Sequence, residues 1–272
     1  MFSGELRKMR VEHADDTRVS YALLLVDTPN KTQTEFKIQD YIGQSLRFTF
    51  TGVIHCTSCG VKVKKTFQGG LCYTCFRKAP QASPCVLKPE LCEAHLGKGR
   101  DVEWEEQNHN QPHYVYLTGN DVVKVGVTRK VQVPTRWIDQ GAVQAIKLAE
   151  TPNRYLAGVI EVALKDVFVD KTNWRKMLMN QLDESIDLVE EKWQCEELLP
   201  EDLAQYMVED DEITTLHYPV ITYPKSVKSI GFDKATIIEK TLMGIKGQYL
   251  IFSDGTVLNV RKHEGYQVNI TF

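Results

Sequence analysis

Four cysteines in two closely spaced pairs constrain this chain more than any other feature. Cys56 and Cys59 form the first Cys-x2-Cys pair, and Cys72 and Cys75 form the second after twelve intervening residues. Each pair can place two thiolates on one metal ion, and Gly69-Gly70 suits a hairpin that returns the second pair to the first. Four thiolates around one ion are the usual structural zinc site. We expect no secretion signal in this chain, which favours zinc over disulfides.

Three further residues of the metal-binding types follow directly downstream, namely Cys85, Cys92 and His95. Their spacing predicts a second zinc site, for which His109 or His113 would supply the missing fourth ligand. The alternative is that both cysteines are small buried residues or a free thiol pair. The sequence leaves the two interpretations open.

The charge of the chain is distributed unevenly. Residues 1–100 carry 15 lysines and arginines against 9 aspartates and glutamates, residues 101–214 carry 11 against 23, and residues 215–272 carry 7 against 4. The formal net charge of −3 therefore averages two basic ends and an acidic middle. A near-neutral average of this kind does not exclude a polyanionic partner.

Basic and aromatic side chains alternate around the cysteine pairs. The basic groups can contact phosphates while Phe67, Tyr73 and Phe76 stack on bases, a combination typical of nucleic-acid binding. Binding to a protein partner is the alternative. The side chains assigned to DNA or RNA are Lys62, Lys64, Lys65 and Arg77, with Arg129 farther along the chain.

Hydropathy and composition predict a soluble, cytoplasmic, globular protein without a membrane partner. No apolar run approaches the roughly 20 residues that cross a bilayer, and the segment MFSGELRKMRVE lacks a signal-peptide core. Hydrophobic residues make up 42% and charged residues 25%, which excludes general disorder.

Residues 113–168 contain a sequence of motifs that suggests a family. The stretch HYVYLTGNDVVKVGVTRK includes Val115-Tyr116 on one predicted strand and Lys124-Val125-Gly126 on the next, and Arg136 follows on a predicted helix. This pattern resembles the GIY-YIG nuclease domain, especially its phage-type branch. The wider chain is similar to an uncharacterised bacterial and archaeal family, a domain of unknown function. Its members combine such cysteines with the stretches KVG-x-T-R and R-W-x-D-Q-G-A.

The GIY-YIG resemblance implies a catalytic role for four residues. Glu161, on the second helix of the domain, would bind a divalent ion such as Mg²⁺ or Mn²⁺, which polarises the phosphoryl oxygen. Arg136 would donate to the developing negative charge, and Tyr116 would orient the attacking water or the phosphate. Lys124 replaces the second tyrosine of the family, and a lysine of lowered pKa can serve as a general base.

Taken together, these features predict a mixed α/β fold in four parts. Residues 1–110 form a β-rich region with the zinc knuckle, and residues 111–180 form a small GIY-YIG-like β-β-α-β-α domain. Residues 181–214 form an acidic helical segment, and residues 215–272 form a C-terminal β unit that packs on the N-terminal strands.

The function favoured by the sequence is that of a zinc-containing protein that binds DNA or RNA. The sequence leaves open whether the protein also cleaves phosphodiesters with Mg²⁺ or Mn²⁺. One alternative is a catalytically silent nucleic-acid-binding protein. The other is a zinc-stabilised adaptor that contacts proteins.

Overall fold

The computed structural model describes residues 1–14, 17–27, 32–168 and 173–272. These residues form a mixed α/β structure, which confirms the predicted fold class. They divide into two compact units: Met1–Arg77 together with His217–Phe272, and Lys78–Leu216. The second unit is therefore an insertion in the sequence of the first. None of the described helices combines the length and apolar composition that crossing a bilayer requires.

Strands outnumber helices along the described chain. The strands are β1 Phe2–Leu6, β2 Arg10–His13, β3 Val19–Asp27, β4 Thr32–Phe36, β5 Ser45–Ile54, β6 His113–Gly119, β7 Val123–Arg129, β8 Gln144–Thr151, β9 Ile213–Thr215, β10 Lys228–Ile230, β11 Ile237–Lys246, β12 Tyr249–Phe252, β13 Thr256–Asn259 and β14 Tyr266–Thr271. The helices are α1 Tyr73–Lys78, α2 Val102–His109, α3 Thr135–Gln140, α4 Arg154–Ala163, α5 Trp174–Leu178, α6 Leu188–Leu198 and α7 Glu201–Ala204.

One large sheet forms the first unit. Among the described residues it has ten strands, in the order β10-β13-β12-β11-β5-β14-β1-β3-β2, with β4 paired to β3. Strand β14 lies between β5 and β1 and is antiparallel to both, so that Ile270 is opposite Phe2 on one side and Phe48 on the other. The strands that follow the insertion thus complete a sheet begun before it.

Alternating hydrophobicity explains why these segments form strands. Leu46 and Phe48 on β5, and Tyr266, Val268 and Ile270 on β14, are buried at every second position, while the intervening residues are partly or fully exposed. Successive side chains of a strand point to opposite faces, so this alternation gives each strand one core face. Complete burial of each such apolar side chain contributes about 1.5–3 kcal/mol.

The second unit contains a smaller antiparallel sheet in the order β7-β6-β8-β9. Its elements β6, β7, α3, β8 and α4 follow one another in β-β-α-β-α order. Val115 and Leu117 of β6 pack with Ile146 of β8, with Ile160 of α4 and with Leu164, the residue that follows α4. The acidic stretch belongs to the same core through its apolar residues, which include Leu188, Cys195, Leu199 and Leu203.

Short 3-10 turns replace regular helices between α1 and α2. They span Pro80–Ala82, Pro84–Val86, Pro89–Leu91 and Ala94–Leu96. Three of the four turns begin with proline, which fixes φ for the first helical position and has no amide hydrogen to leave unpaired. This segment carries Cys85, Cys92 and His95 to the surface of α4.

Candidate functional site

Cys56, Cys59, Cys72 and Cys75 converge in the first unit. Their sulfur atoms all lie within 4.8 Å of one another, and the Sγ atoms of Cys59 and Cys72 are 3.8 Å apart. A tetrahedral zinc ion with Zn–S bonds of about 2.3 Å places its sulfurs about 3.8 Å apart, which agrees with that spacing. The four cysteines are therefore compatible with the structural zinc site expected from their sequence spacing.

Backbone amides support the thiolate form that metal binding requires. The Cys72 amide donates to Cys56 Sγ at 3.1 Å, and the Cys75 amide donates to Cys72 Sγ at 3.3 Å. Burial raises the pKa of the Cys56 thiol, but hydrogen bonds from the backbone of Cys59, Cys72 and Ser58 lower it more, to about 6. A thiol of this kind is readily deprotonated near neutral pH, and the thiolate is the metal ligand.

Glycines shape the hairpin that joins the two cysteine pairs. Gly69 and Gly70 have φ angles of +72° and +74°, a region that favours glycine. A Cβ on Gly70 would also lie only 2.4 Å from Thr57 Cγ2. Thr57 fixes this turn through its amide, which donates to Gly70 O at 3.0 Å, and its hydroxyl, which donates to Gly69 O at 2.7 Å. The turn predicted at these glycines is thus present.

A basic and aromatic surface covers the four-cysteine knuckle. The ring of Phe67 lies 5.5 Å from that of Tyr73 and 5.3 Å from that of Phe76, and Tyr73 is 57% exposed. Lys65 Nζ lies 5.7 Å from the Phe67 ring, and the Arg77 guanidinium lies 6.0 Å from the Tyr73 ring. The side chains assigned to nucleic acid in this segment, Lys62, Lys64, Lys65 and Arg77, are all at least partly exposed.

In the second unit, Tyr116 lies buried at the centre of the small sheet. It faces Gly126 across the β6–β7 pair, and a Cβ on Gly126 would lie 2.7 Å from the Tyr116 hydroxyl oxygen. The glycine therefore leaves the space that the phenol occupies. The Tyr116 hydroxyl donates to Gln140 Oε1, at the end of α3, at 2.8 Å.

Arg136 of α3 and Glu161 of α4 interact with the same phenol. The interaction with Tyr116 raises the pKa of the Arg136 guanidinium, burial lowers it, and the charges of Asp139 and Glu161 raise it further. Burial raises the pKa of Tyr116, as does Glu161, while Arg136 and Gln140 lower it. Tyr116 is 1% exposed, whereas the side chains of Arg136 and Glu161 are partly exposed. The three residues form one electrostatic group with two accessible members.

Lys124 has other neighbours. Its side chain is buried, and Nζ lies 3.9 Å from Asp121 Oδ1. Burial lowers the pKa of Lys124, Asp121 raises it, and Lys176, which pairs with Asp121 at 3.2 Å, lowers it. The charged groups that act on Lys124 are thus those of Asp121 and Lys176 rather than the Tyr116, Arg136 and Glu161 group.

Arg129 differs from the other residues assigned to nucleic acid. It is half-buried at the end of β7, where its guanidinium donates to the Asn108 side-chain oxygen. Burial lowers the pKa of Arg129. Its hydrogen-bonding capacity is therefore partly committed within the second unit, which the sequence did not indicate.

Cys85 and Cys92 are brought together, but His95 does not join them. Their partners are Glu105 and His109, and the four potential ligand atoms lie within 4.8 Å of one another. The His95 ring instead stacks on Tyr155 of α4, with ring centroids 4.7 Å apart. His95 is thus replaced in the group by two residues of α2.

Of the other fourth ligands considered, His109 is in this group and His113 is outside it. His113 is fully buried on β6, where its Nδ1 contacts Gln111 O at 2.7 Å. Glu105 was not predicted from the sequence, although its spacing of four residues from His109 on a helix is a signal that both side chains share one face. Gln140, the partner of Tyr116, carried no comparable signal.

Comparison with known proteins identifies the family. No curated protein and no solved structure shows a significant match to the chain. Residues 43–268 match the family described as "Protein of unknown function (DUF2797)". The match includes the four-cysteine knuckle, the Cys85 and Cys92 segment and the small sheet with α4. Because it covers well over half of the 272 residues, the chain belongs to this family.

Proposed function

We propose that this protein binds nucleic acid through its zinc knuckle and hydrolyses phosphodiesters in a GIY-YIG-like domain of its second unit. The observation that carries the proposal is the electrostatic group of Tyr116, Arg136 and Glu161. These residues come from β6, α3 and α4 of a β-β-α-β-α series, the order that the GIY-YIG resemblance implies.

The chemistry assigned to this group uses its two accessible side chains. Glu161 holds Mg²⁺ or Mn²⁺, and a single carboxylate leaves several water ligands on such an ion. The ion supplies Lewis-acid polarisation of the phosphoryl oxygen when bound. Arg136 donates to the phosphate oxygens as negative charge develops on them.

Tyr116 is assigned a positioning role. Its hydroxyl is already hydrogen-bonded to Gln140, its ring is buried, and it interacts electrostatically with Arg136. The phenol therefore fixes the direction of the guanidinium from the inside of the domain, rather than orienting the water or the phosphate. Lys124, which is buried against Asp121, is left without an assigned step.

The knuckle surface is assigned the binding role. Its exposed lysines supply phosphate contacts, and Tyr73 supplies an exposed ring for base stacking. We place the protein in the cytoplasm, since none of its seven cysteines is in a disulfide and a reducing compartment keeps thiols available to bind zinc.

Cleavage is tested with supercoiled DNA, single-stranded DNA and structured RNA in the presence of Mg²⁺ or Mn²⁺. We expect the wild-type chain to nick at least one of them and Glu161→Gln to lose this activity while keeping its affinity. Glu197→Gln, which alters an exposed glutamate of α6, is the matched control and should cleave normally.

Binding is tested by the salt dependence of fluorescence anisotropy. The triple variant Lys62→Gln, Lys64→Gln, Lys65→Gln should reduce the slope of log affinity against log salt by roughly 2–3, from about 0.7–0.9 per phosphate contact. Replacing Lys225, Lys228 and Lys234 by glutamine removes the same charge from another exposed part of the first unit and should leave the slope unchanged.

The same two assays distinguish the alternatives. Salt-dependent binding without cleavage of any substrate would assign the catalytically silent function, which the pairing of the buried Lys124 with Asp121 favours. Absence of binding at low salt would refute both nucleic-acid functions and leave the protein-contacting adaptor.

A further inference from the structure

Four buried side chains of three metal-binding types meet between the 3-10 turns and α2. Cys85 Sγ and His109 Nδ1 are 3.8 Å apart, and His109 Nδ1 and Glu105 Oε2 are 2.6 Å apart. Cys92 completes the group, in which all four ligand atoms lie within 4.8 Å of one another. Two thiols, an imidazole and a carboxylate are a ligand set that zinc accepts, with tetrahedral geometry in a structural site.

The secondary structure explains how Glu105 and His109 come to face the thiols. Asp101 caps α2 by accepting a hydrogen bond from the Trp104 amide at 3.0 Å, which fixes where the helix begins. Four residues separate Glu105 from His109, so both side chains lie on one face of α2. Gly99 leaves room for the carboxylate, because a Cβ there would lie 2.7 Å from Glu105 Cδ.

Three of these four side chains also contact a neighbouring residue outside the group, and such contacts orient metal-binding side chains. Glu105 uses its other oxygen, Oε1, to accept a hydrogen bond from the Arg100 amide at 3.3 Å. Ser83 Oγ lies 3.2 Å from Cys85 Sγ. The His109 ring packs edge-on against Trp104, with centroids 5.1 Å apart. Contacts of this kind hold the metal-binding side chains in orientation and tune their basicity.

A partly buried arginine ties this group to α4. Arg154, in the first turn of α4, donates from Nε to Cys85 O at 2.9 Å and from a terminal nitrogen to Val86 O at 3.0 Å. Its guanidinium interacts electrostatically with both Cys85 and Cys92. The two hydrogen bonds fix the backbone of the Cys85 turn to the beginning of α4.

The segment around this group has little apolar core. Its buried hydrophobic cluster consists of Cys85, Cys92 and Ala94, with Tyr155 of α4 packed against it. Several of its apolar side chains, Leu87, Leu91 and Leu96, are more than half exposed. A segment with so few buried apolar contacts needs another source of folding energy, and a structural metal ion provides one.

We propose that Cys85, Cys92, Glu105 and His109 bind a second zinc ion, which fixes the 3-10 segment to α2 and to the first turn of α4. The ion takes the place of the proton that otherwise lies in the short contact between His109 and Glu105, and its binding releases protons from the thiols. All four positions are filled by protein, so the site is structural. It does not depend on nucleic-acid binding or on catalysis by Glu161.

The experiment is metal analysis of the full-length chain, purified with zinc and a reducing agent. We expect two zinc ions per chain in the wild type and one in the double variant Cys85→Ser, Cys92→Ser. His109→Asn should lose zinc from this site, whereas His95→Asn, a change of the same residue type close by, should retain two ions. The double variant Cys56→Ser, Cys59→Ser should retain the ion of the second site.

Cobalt substitution of the wild type tests the ligands without relying on any variant that fails to fold. Absorption from thiolate-to-cobalt charge transfer increases with the number of thiolates bound to the ion. A cobalt ion at the second site, which has two thiolates, should therefore add about half the intensity of a four-thiolate site. One metal ion per wild-type chain would overturn the proposal. So would a Cys85–Cys92 disulfide in the reduced preparation, or loss of the second ion in His95→Asn but not in His109→Asn.

Discussion

Gly158 permits the closest backbone approach in the second unit, and its replacement by alanine gives a sharp test of how α4 is packed. A Cβ at this position would lie 2.2 Å from Glu90 N and 2.4 Å from the Pro89 carbonyl carbon. Ordinary contacts of a Cβ begin near 3.4 Å, so the helix and the 89–90 backbone must separate by about 1 Å. No side-chain rotation can relieve an overlap with backbone atoms.

Two opposing effects determine the size of the change. Overpacking of this type costs about 1–3 kcal/mol, and contact with rigid backbone places Gly158→Ala at the upper end of that range. Alanine is favoured over glycine in a helix by about 1 kcal/mol, which offsets part of this cost. We therefore expect a net loss of about 2 kcal/mol, equivalent to a fall in Tm of about 4–8 °C.

The assay is urea and thermal unfolding, with hydrogen exchange to localise the effect. Exchange should accelerate in α4 and in the turn Pro89–Leu91. The control is Gly119→Ala in β6, where the nearest atom to the new Cβ is the movable Ile186 Cγ2 at 3.3 Å, and its stability should change by less than about 0.5 kcal/mol. If Gly158→Ala is as stable as the wild type or more stable, helix propensity dominates and the inferred backbone contact is wrong.

Three further predictions concern the metal, the buried phenol and pH. Cys59→Ser should lose the zinc of the four-thiolate knuckle and increase exchange there, and retention of that zinc would contradict the four-ligand assignment. Tyr116→Phe should destabilise the second unit by about 1–3 kcal/mol in urea unfolding, because the side-chain oxygen of Gln140 loses its hydrogen-bond donor; an unchanged midpoint would contradict this. Burial lowers the pKa of His113 from about 6.5, its value in the unfolded chain, to about 3 in the folded protein. Between pH 6.5 and pH 3, therefore, His113 is protonated in the unfolded chain and neutral in the folded one. The contribution of His113 to the free energy of unfolding should be complete above pH 6.5 and decrease by about 1.4 kcal/mol per pH unit below it. The measurement compares the unfolding free energies of the wild type and His113→Gln at about pH 7 and about pH 5.

Local features of the fold can be read from the sequence, whereas the order of the strands in the first sheet cannot. Apolar and polar residues alternate in the segments of β5 and β14, and this alternation is a property of each segment by itself. The position of β14 between β1 and β5 depends on pairing between residues more than 200 positions apart, for which short-range periodicity carries no signal. For the same reason, no short motif marks residues 77–78 and 216–217, where the second unit is inserted.

The candidate sites show a similar division. The four-cysteine knuckle was recognisable because its ligands lie in two short motifs joined by one hairpin. At the second cysteine pair, the sequence suggested His95 together with His109 or His113. The His95 ring instead stacks on Tyr155, and α2 supplies Glu105 as well as His109. Which face a helix presents to a neighbouring turn depends on tertiary packing, so distance along the sequence was a poor guide there.

The position of β14 within the first sheet has a consequence for the order of folding. During synthesis, residues 1–77 emerge well before their partners at 217–272, whereas the 78–216 unit can form its own core as soon as it is complete. Once that unit has folded, the two parts of the first sheet are separated by a compact body instead of a flexible loop, which lowers the entropy lost when they pair. Until the C-terminal strands pair, β5 lacks both of its neighbours and β1 lacks one, so both present free backbone groups to other chains. Substitutions that slow folding of the inserted unit should therefore increase aggregation of the sheet in which it is inserted.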